Sequence, residues 1–177
     1  AADLLAQAEH GADSQVIFVT TEEAYLNLVH FAIDQQLKEL PRKELALRAL
    51  ENSKMILVKD LDEAIDFSNA YAPEHLILQT RNAEELADKV INAGSVFIGH
   101  YSPESAGDYA SGTNHTLPTN GFARAYSGVS LDSFVKKITF QRLSKEGLQN
   151  IGNTVEVMAA NEELTAHKNA VSIRLKN

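Results

Sequence analysis

Residues 54–99 read KMILVKDLDEAIDFSNAYAPEHLILQTRNAEELADKVINAGSVFIG. Three short apolar runs in this stretch, at 54–59, 75–79 and 95–99, alternate with two segments that have helical spacing. Short strands that alternate with helices are typical of βα units and of a parallel sheet. The stretch therefore predicts a strand, a helix, a strand, a helix and a strand, in that order.

Helix start and stop residues bound the two helical segments. Asp60 and Asn82 stand where an N-cap is expected, because a short oxygen-bearing side chain there accepts a hydrogen bond from the first turn. Gly94 stands where a helix stop is expected. The sequence thus predicts one helix that begins after Asp60 and another that runs from Asn82 to Gly94.

The chain before residue 54 continues the same pattern. VIFVT at residues 16–20 predicts a further strand. Two helices are expected at 21–40 and 42–51, because Pro41 ends the first of them. We therefore expect an α/β fold with an open, mostly parallel sheet and flanking helices.

A long irregular segment follows Gly99. Residues 100–130 read HYSPESAGDYASGTNHTLPTNGFARAYSGVS and are rich in Gly, Ser, Thr, Asn and Pro. Loops of this length are usually functional or disordered. The aromatic and apolar residues scattered through the segment favour a packed, functional loop.

The tail of the chain is expected to form a small unit of its own. VKKITFQR at 135–142 predicts a strand, and helices are expected at Ser144–Ala160 and from Glu162 to about Arg174. One strand and two helices bury too little apolar surface to be stable alone. We therefore divide the chain into residues 1–133 and 134–177, and expect the second part to dock on a partner subunit.

Composition excludes several classes of function. The formal net charge is -8 and no Lys/Arg cluster is longer than a pair, so a nucleic-acid partner is not expected. The apolar runs are too short to span a membrane, so a soluble protein is expected. Because cysteine is absent, only His, Asp, Glu and amide oxygens remain as metal ligands.

Gln7 and His10 form the first candidate polar pair, in LLAQAEHG. On a helix, residues three apart lie on one face and can offer an amide oxygen and an imidazole to one ion. An exposed glutamine beside a helix-terminal histidine is the simpler interpretation of this pair taken alone.

Glu74 and His75 follow Pro73 at the start of a predicted strand. A carboxylate and an imidazole at the mouth of an α/β sheet can share acid and base work near neutral pH. From the spacing alone, an ordinary strand entry with a surface ion pair is the simpler interpretation.

The two remaining candidate pairs lie in the loop and in the tail. Asp108 is a plausible hard zinc ligand and His115 a plausible donor to a carboxylate, although an Asp in a Gly-rich loop is often a turn former. Glu162 and His167 are five residues apart, about 140° around an ideal helix, so they share a site only if Glu162 lies in the capping turn. Taken alone, a solvated acidic helix start is the better interpretation of that pair.

No G-x-G-x-x-G dinucleotide turn is present, so these patterns alone do not predict a dehydrogenase. Five longer strings, however, closely resemble those of the histidinol dehydrogenase family, and the resemblance extends over essentially the whole chain. They are DLLAQAEHG (3–11), APEHL (72–76), SPESAGDYASGTNHTLPT (102–119), YSGVSLDSFVKKIT (126–139) and LTAHKNAV (164–171).

The resemblance implies a role for each candidate residue. Gln7, His10, Asp108 and His167 match the family's zinc ligands, which also contact the substrate. Glu74 and His75 match its acid and base residues, with His75 also on the substrate, and Glu162 and His115 match further substrate contacts. In the family the tail reaches into the neighbouring subunit of a homodimer, so tail exchange is expected here.

The activity implied by the resemblance is the oxidation of L-histidinol to L-histidine through histidinal, in two NAD-linked steps of cytoplasmic histidine biosynthesis. Family chains are longer, so this chain resembles their carboxy-terminal part and an incomplete Rossmann-like domain. Most NAD contacts are expected in the preceding part, and residues that bind NAD remain unassigned here. The alternative is a catalytically silent folded fragment, with or without zinc.

Overall fold

The computed structural model describes residues 1–176, which form two compact units. The first unit is Ala1–Phe134, and the second begins at Val135. Among the described residues, no helix combines the length and apolar character needed to cross a membrane.

The first unit alternates helices with four short strands. In chain order it contains α1 (Ala2–Ala8), β1 (Ile17–Thr20), α2 (Glu23–Leu37), α3 (Lys43–Glu51), β2 (Lys54–Leu57), α4 (Leu61–Tyr71), β3 (His75–Leu78), α5 (Ala83–Ala87), β4 (Ser95–Ile98) and α6 (Glu104–Tyr109), followed by 3₁₀ turns at Phe122–Arg124 and Leu131–Phe134. All four predicted strands are present, and the α/β class is confirmed.

The four strands form two parallel pairs among the described residues. β1 pairs with β2, with Ile17 opposite Lys54, and β3 pairs with β4, with His75 opposite Ser95. The helices α2 and α3 connect the first pair and α5 connects the second, as parallel neighbours require. A single open sheet was expected; instead, no ladder joins β2 to β3.

Two apolar clusters stabilise the first unit. In the larger one, α1 packs on α2 and α3 through buried aliphatic side chains, namely Leu5, Ala8, Ile33, Leu37, Ala46 and Ala49. The other joins α4, β3 and α5 through Ile65, Leu78, Ala83 and Leu86. Full burial of a leucine contributes about 1.5–3 kcal/mol, so the first cluster anchors α1 and the second anchors β3.

The capping predictions have mixed outcomes. Asp60 accepts a hydrogen bond from the Glu63 backbone N–H at 2.8 Å, which confirms the N-cap of α4. Asn82 makes no side-chain cap, and α5 ends at Ala87 rather than running to Gly94. The segment after α5 is bonded to α4 instead, because Asn69 Oδ1 accepts from the Ile91 N–H at 2.9 Å.

The second unit is a pair of helices, α7 (Lys145–Asn161) and α8 (Thr165–Lys176). Ser144 caps α7 by accepting from the Gly147 N–H at 3.0 Å. The predicted start of the last helix at Glu162 is wrong, because Glu163 has a φ of 59° and interrupts the helix. The helix therefore resumes at Thr165.

The strand predicted at 135–142 is also wrong. These residues are irregular and exposed, with Phe140 92% exposed. Their alternating pattern fits a strand, but a strand needs a ladder partner, and none lies beside it within the second unit as described.

Candidate functional site

A short helix in the long loop carries two acidic side chains on one face. α6 begins directly after Pro103, and Glu104 and Asp108 are four residues apart, which places both on the same side of the helix. Glu104 is only 3% exposed and Asp108 is partly buried. The segment that the sequence suggested to be loop is therefore partly helical, and it directs two carboxylates inward.

Gly107 lets α6 lie close to β4. A Cβ built on Gly107 would lie 2.7 Å from both Phe97 Cε1 and Thr113 Oγ1, so a larger residue would not fit without movement. This contact holds the helix, and with it Glu104 and Asp108, against the end of the β3–β4 pair.

His75, the first residue of β3, faces the carboxylates of α6. Its Nε2 lies 3.9 Å from Glu104 Oε1, and its side chain is 12% exposed. The imidazole also packs on the Phe97 ring, with centroids 5.9 Å apart. Ligand atoms of His75, Glu104 and Asp108 all lie within 4.8 Å of one another, close enough to share one metal ion.

The backbone at the start of β3 is held by Gly94. Its N–H donates to the Pro73 carbonyl at 2.9 Å, and a Cβ on Gly94 would lie 2.5 Å from the Glu74 carbonyl oxygen. Gly94 was expected as a helix stop, but the structure uses it for a close backbone approach beside Glu74 and His75.

Several polar atoms in this cluster are buried without a hydrogen-bond partner among the described residues. They are Gln7 Nε2, His75 Nε2 and Glu104 Oε1. A buried polar group without a partner costs about 1–3 kcal/mol. Three such atoms in one cluster mark a place built to receive a polar group or an ion.

Burial dominates the electrostatics of the cluster. Burial raises the pKa of the Glu104 carboxyl, and the neighbouring Asp108 raises this pKa further, whereas Gln7 lowers it. Burial lowers the pKa of His75, opposed by the negative charges of Glu74 and Asp108 and assisted by His10. Both shifts favour the uncharged form, so the His75 imidazole is neutral at neutral pH.

The candidate residues of the first helix contribute to this cluster in a way that the spacing did not predict. α1 ends at Ala8, so His10 lies beyond the helix in a turn and not on the helical face of Gln7. His10 is exposed, yet it influences the pKa of both His75 and Glu104. Gln7 thus affects the pKa of Glu104, and His10 affects the pKa of both His75 and Glu104, despite this error.

A family model of histidinol dehydrogenase matches residues 1–175. The chain belongs to the histidinol dehydrogenase family. It is 64% identical over 175 residues to histidinol dehydrogenase of Bacteroides thetaiotaomicron, and 55% identical over 177 residues to that of Campylobacter jejuni. The match covers 99% and 100% of this chain, respectively, and 41% of each relative, so the chain spans about two fifths of their length.

A solved member of the family has the same fold. The crystal structure of histidinol dehydrogenase from Elizabethkingia anophelis is 62% identical in sequence, with a TM-score of 0.92. The match covers 99% of this chain and 40% of that one.

The remaining candidate residues of this histidinol dehydrogenase family member are exposed, unlike the residues of the cluster. His115 is exposed in the loop after α6. Glu162 and His167 are exposed residues of the second unit, Glu162 at the end of α7 and His167 in α8. The first unit by itself therefore contains Gln7, His10 and Asp108 of the four suggested zinc ligands.

Sequence reasoning missed Glu104. It precedes Asp108 by four residues, the spacing that places two side chains on one helical face. Pro103 just before it is a common residue at a helix start. These two signals favour a helix start at this point, but the surrounding Gly, Ser and Thr residues favour a loop.

Proposed function

We propose that this chain is the zinc-bearing catalytic part of a histidinol dehydrogenase, which oxidises L-histidinol to L-histidine through histidinal. The observation that carries the proposal is the partly buried cluster of His75, Glu104 and Asp108, in which the unpartnered His75 Nε2 and Glu104 Oε1 suit an ion or a polar substrate. The proposed reaction is that of the family, and the imidazole and carboxyl groups of the cluster suit it.

The proposed zinc ligands are Gln7, His10, Asp108 and His167. The donor set fits zinc, because it offers only oxygen and nitrogen atoms in a chain without cysteine, and because His75 and Glu104, which have unpartnered buried atoms, offer ligand atoms within 4.8 Å of that of Asp108. Bound zinc would act as a Lewis acid that orients the imidazole and amine of histidinol. His167 belongs to the second unit, so we propose that it comes from the tail of a partner subunit in a homodimer.

His75 is the proposed general base for the alcohol proton of histidinol. A base must be neutral to accept a proton, and burial keeps the pKa of His75 below its ordinary value. The neighbouring Glu74 is proposed to activate the water that attacks the aldehyde carbon of histidinal. Each oxidation then releases one proton to a side chain and one hydride to NAD.

Other substrate contacts are proposed for His115 and Glu162, together with the zinc ligands and His75. The NAD site is not assigned, because the chain contains no glycine-rich dinucleotide turn. We propose that the NAD contacts lie in the part of the relatives that this chain does not span, and that the two strand pairs belong to an incomplete Rossmann-like domain. A cytoplasmic location follows from the proposed biosynthetic role.

A second candidate function is a folded zinc-binding fragment without catalytic activity. It is favoured by one observation, that the chain spans 41% of the length of the Bacteroides thetaiotaomicron relative. Turnover needs a cofactor site, whereas zinc binding needs only the ligands.

Elemental analysis combined with light scattering tests the proposal. About one zinc per chain in a dimer, with turnover of NAD and L-histidinol, would support the dehydrogenase. The same zinc content without turnover would support the inactive fragment. A zinc-free monomer would contradict the proposed metal centre.

A further inference from the structure

Gln7 presents an orientation problem for any metal site that uses it. An amide can bind a cation only through its oxygen, while its nitrogen donates two hydrogen bonds. In this structure Gln7 Nε2 is buried and has no hydrogen-bond partner among the described residues. Unless an acceptor holds the nitrogen, nothing fixes the amide oxygen toward an ion.

Glu104 offers the acceptor that the Gln7 amide lacks. Its side chain is 97% buried, since only 3% is exposed, and its Oε1 is likewise without a partner among the described residues. The Gln7 amide is close enough to lower the pKa of the Glu104 carboxyl, the effect expected of a donor beside a carboxylate. One side chain is therefore a buried donor and its neighbour a buried acceptor.

We propose that Glu104 is a positioning residue that accepts a hydrogen bond from Gln7 Nε2 and thereby turns Gln7 Oε1 toward the metal. The inference rests on the proposed function, because it takes Gln7 as a zinc ligand. Groups that hydrogen-bond to metal ligands fix their orientation, and their removal typically weakens metal binding about 10–100-fold.

The position of Glu104 suits this role. Glu104 and Asp108 share one face of α6, so the helix that presents the proposed ligand Asp108 also presents the acceptor for Gln7. Gln7 comes from α1, which the apolar cluster around Leu5 and Ala8 anchors to α2 and α3. Glu104 therefore links the two helices that carry proposed ligands of the first unit.

A double-mutant cycle on the full chain tests the proposal, with the zinc dissociation constant as the readout. The proteins are the wild type, Glu104→Ala, Gln7→Ala and the double variant, each titrated with zinc against a competing chelator. We expect Glu104→Ala to weaken zinc binding at least tenfold in the wild-type background and less than about threefold in the Gln7→Ala background, since its effect passes through Gln7.

Two further variants control for folding and for charge. Glu104→Gln keeps an acceptor oxygen and is expected to lose less zinc affinity than Glu104→Ala. Glu39→Ala removes an exposed glutamate outside the cluster and is expected to bind zinc like the wild type. Circular dichroism and thermal melting establish that each variant is folded before its affinity is compared.

The possible outcomes separate the two proposals. A wild type that binds zinc while Glu104→Ala has unchanged affinity would overturn the positioning role alone. An equal loss in both backgrounds would also overturn it, since Glu104 would then be a ligand or a structural residue independent of Gln7. A folded wild type that binds no zinc would overturn the proposed metal centre, and this inference with it.

Discussion

His75 Nε2 lies 3.9 Å from Glu104 Oε1, and both atoms are buried without a hydrogen-bond partner among the described residues. The two side chains come from different elements, β3 and α6, and the distance is too long for a hydrogen bond. The fold thus places an imidazole beside a carboxyl group without a hydrogen bond between them. His75 Nε2 is therefore not committed to a hydrogen bond with Glu104, as its proposed role as a base requires.

The proposed acid and base residues, Glu74 and His75, are expected to act in different steps. His75→Asn should lower kcat for histidinol about 10²–10⁴-fold, because it removes the proposed base for the alcohol proton. Glu74→Gln should lower kcat for histidinal by a similar factor, because it removes the group proposed to activate water. Steady-state assays of the full-length protein with each substrate separately measure both effects.

The matched control is His30→Asn. His30 is an exposed residue of α2 near Asp34, so its loss should leave both activities within about twofold of the wild type. Equal loss of both activities in His75→Asn and Glu74→Gln would contradict the division of roles. Unchanged activity in either variant would remove that residue from the mechanism.

The strands were predictable from the sequence because their apolar runs have strand length and lie between helical segments. Their pairing was not predictable, because it depends on contacts between residues far apart in sequence. Asn69 illustrates the difficulty, because this residue of α4 bonds to the Ile91 N–H in a segment where the sequence pattern predicts helix. The strand predicted at 135–142 is absent although its local pattern is typical of a strand, because it has no ladder partner among the described residues.

The site was partly predictable for similar reasons. Adjacent residues such as Glu74 and His75 stay together in any fold, so a local motif identifies them. His10 was expected on the helical face of Gln7, although α1 ends before it. Glu104 depends on α6, and α6 depends on the close approach of Gly107 to Phe97, a tertiary contact that no local pattern shows.

Gly107→Ala should destabilise the protein. An added Cβ would lie 2.7 Å from Phe97 Cε1, and overpacking of this kind costs about 1–3 kcal/mol, against a gain of about 0.5–1 kcal/mol from the better helix former. We expect the free energy of unfolding in urea to fall by up to about 2.5 kcal/mol, with weaker zinc binding because α6 must shift.

Ser105→Ala is the control for Gly107→Ala, because Ser105 lies on the same helix and is exposed. It should leave the free energy of unfolding within about 0.5 kcal/mol of the wild-type value. If Gly107→Ala were as stable as the control, α6 would not be held by the contact with Phe97.

Tyr71 is expected to contribute to stability and to its dependence on alkaline pH. Its hydroxyl donates to Gln15 Oε1 at 2.7 Å, and Gln15 Nε2 donates to the Asn52 carbonyl at 2.7 Å. Tyr71→Phe leaves the Gln15 oxygen without this donor. The cost should be near the lower end of about 0.5–1.5 kcal/mol, because Tyr71 is 37% exposed and water can replace the bond.

The pH dependence has a definite sign. Burial raises the pKa of Tyr71 above its ordinary value of 10.0, so the unfolded chain loses this proton first as the pH rises. Stability is therefore unaffected by Tyr71 ionisation below pH 10 and falls above it. Urea unfolding should be measured at neutral pH and above pH 10. Between these two conditions, the free energy of unfolding should fall less in Tyr71→Phe than in the wild type. The control Tyr101→Phe, at a side chain 99% exposed, should behave like the wild type.

Zinc should stabilise the folded protein if the proposed ligands are correct. A ligand that binds only the native state adds about 2.7 kcal/mol when its concentration is a hundred times its dissociation constant. Melting followed by circular dichroism should therefore show a higher midpoint with zinc and a lower one after chelation. Asp108→Asn should abolish the zinc-dependent shift, because an amide lacks the charge of the proposed ligand, whereas Asp13→Asn, at an exposed position outside the cluster, should retain it. A zinc-dependent shift of equal size in Asp108→Asn would mean that zinc binds elsewhere on the chain.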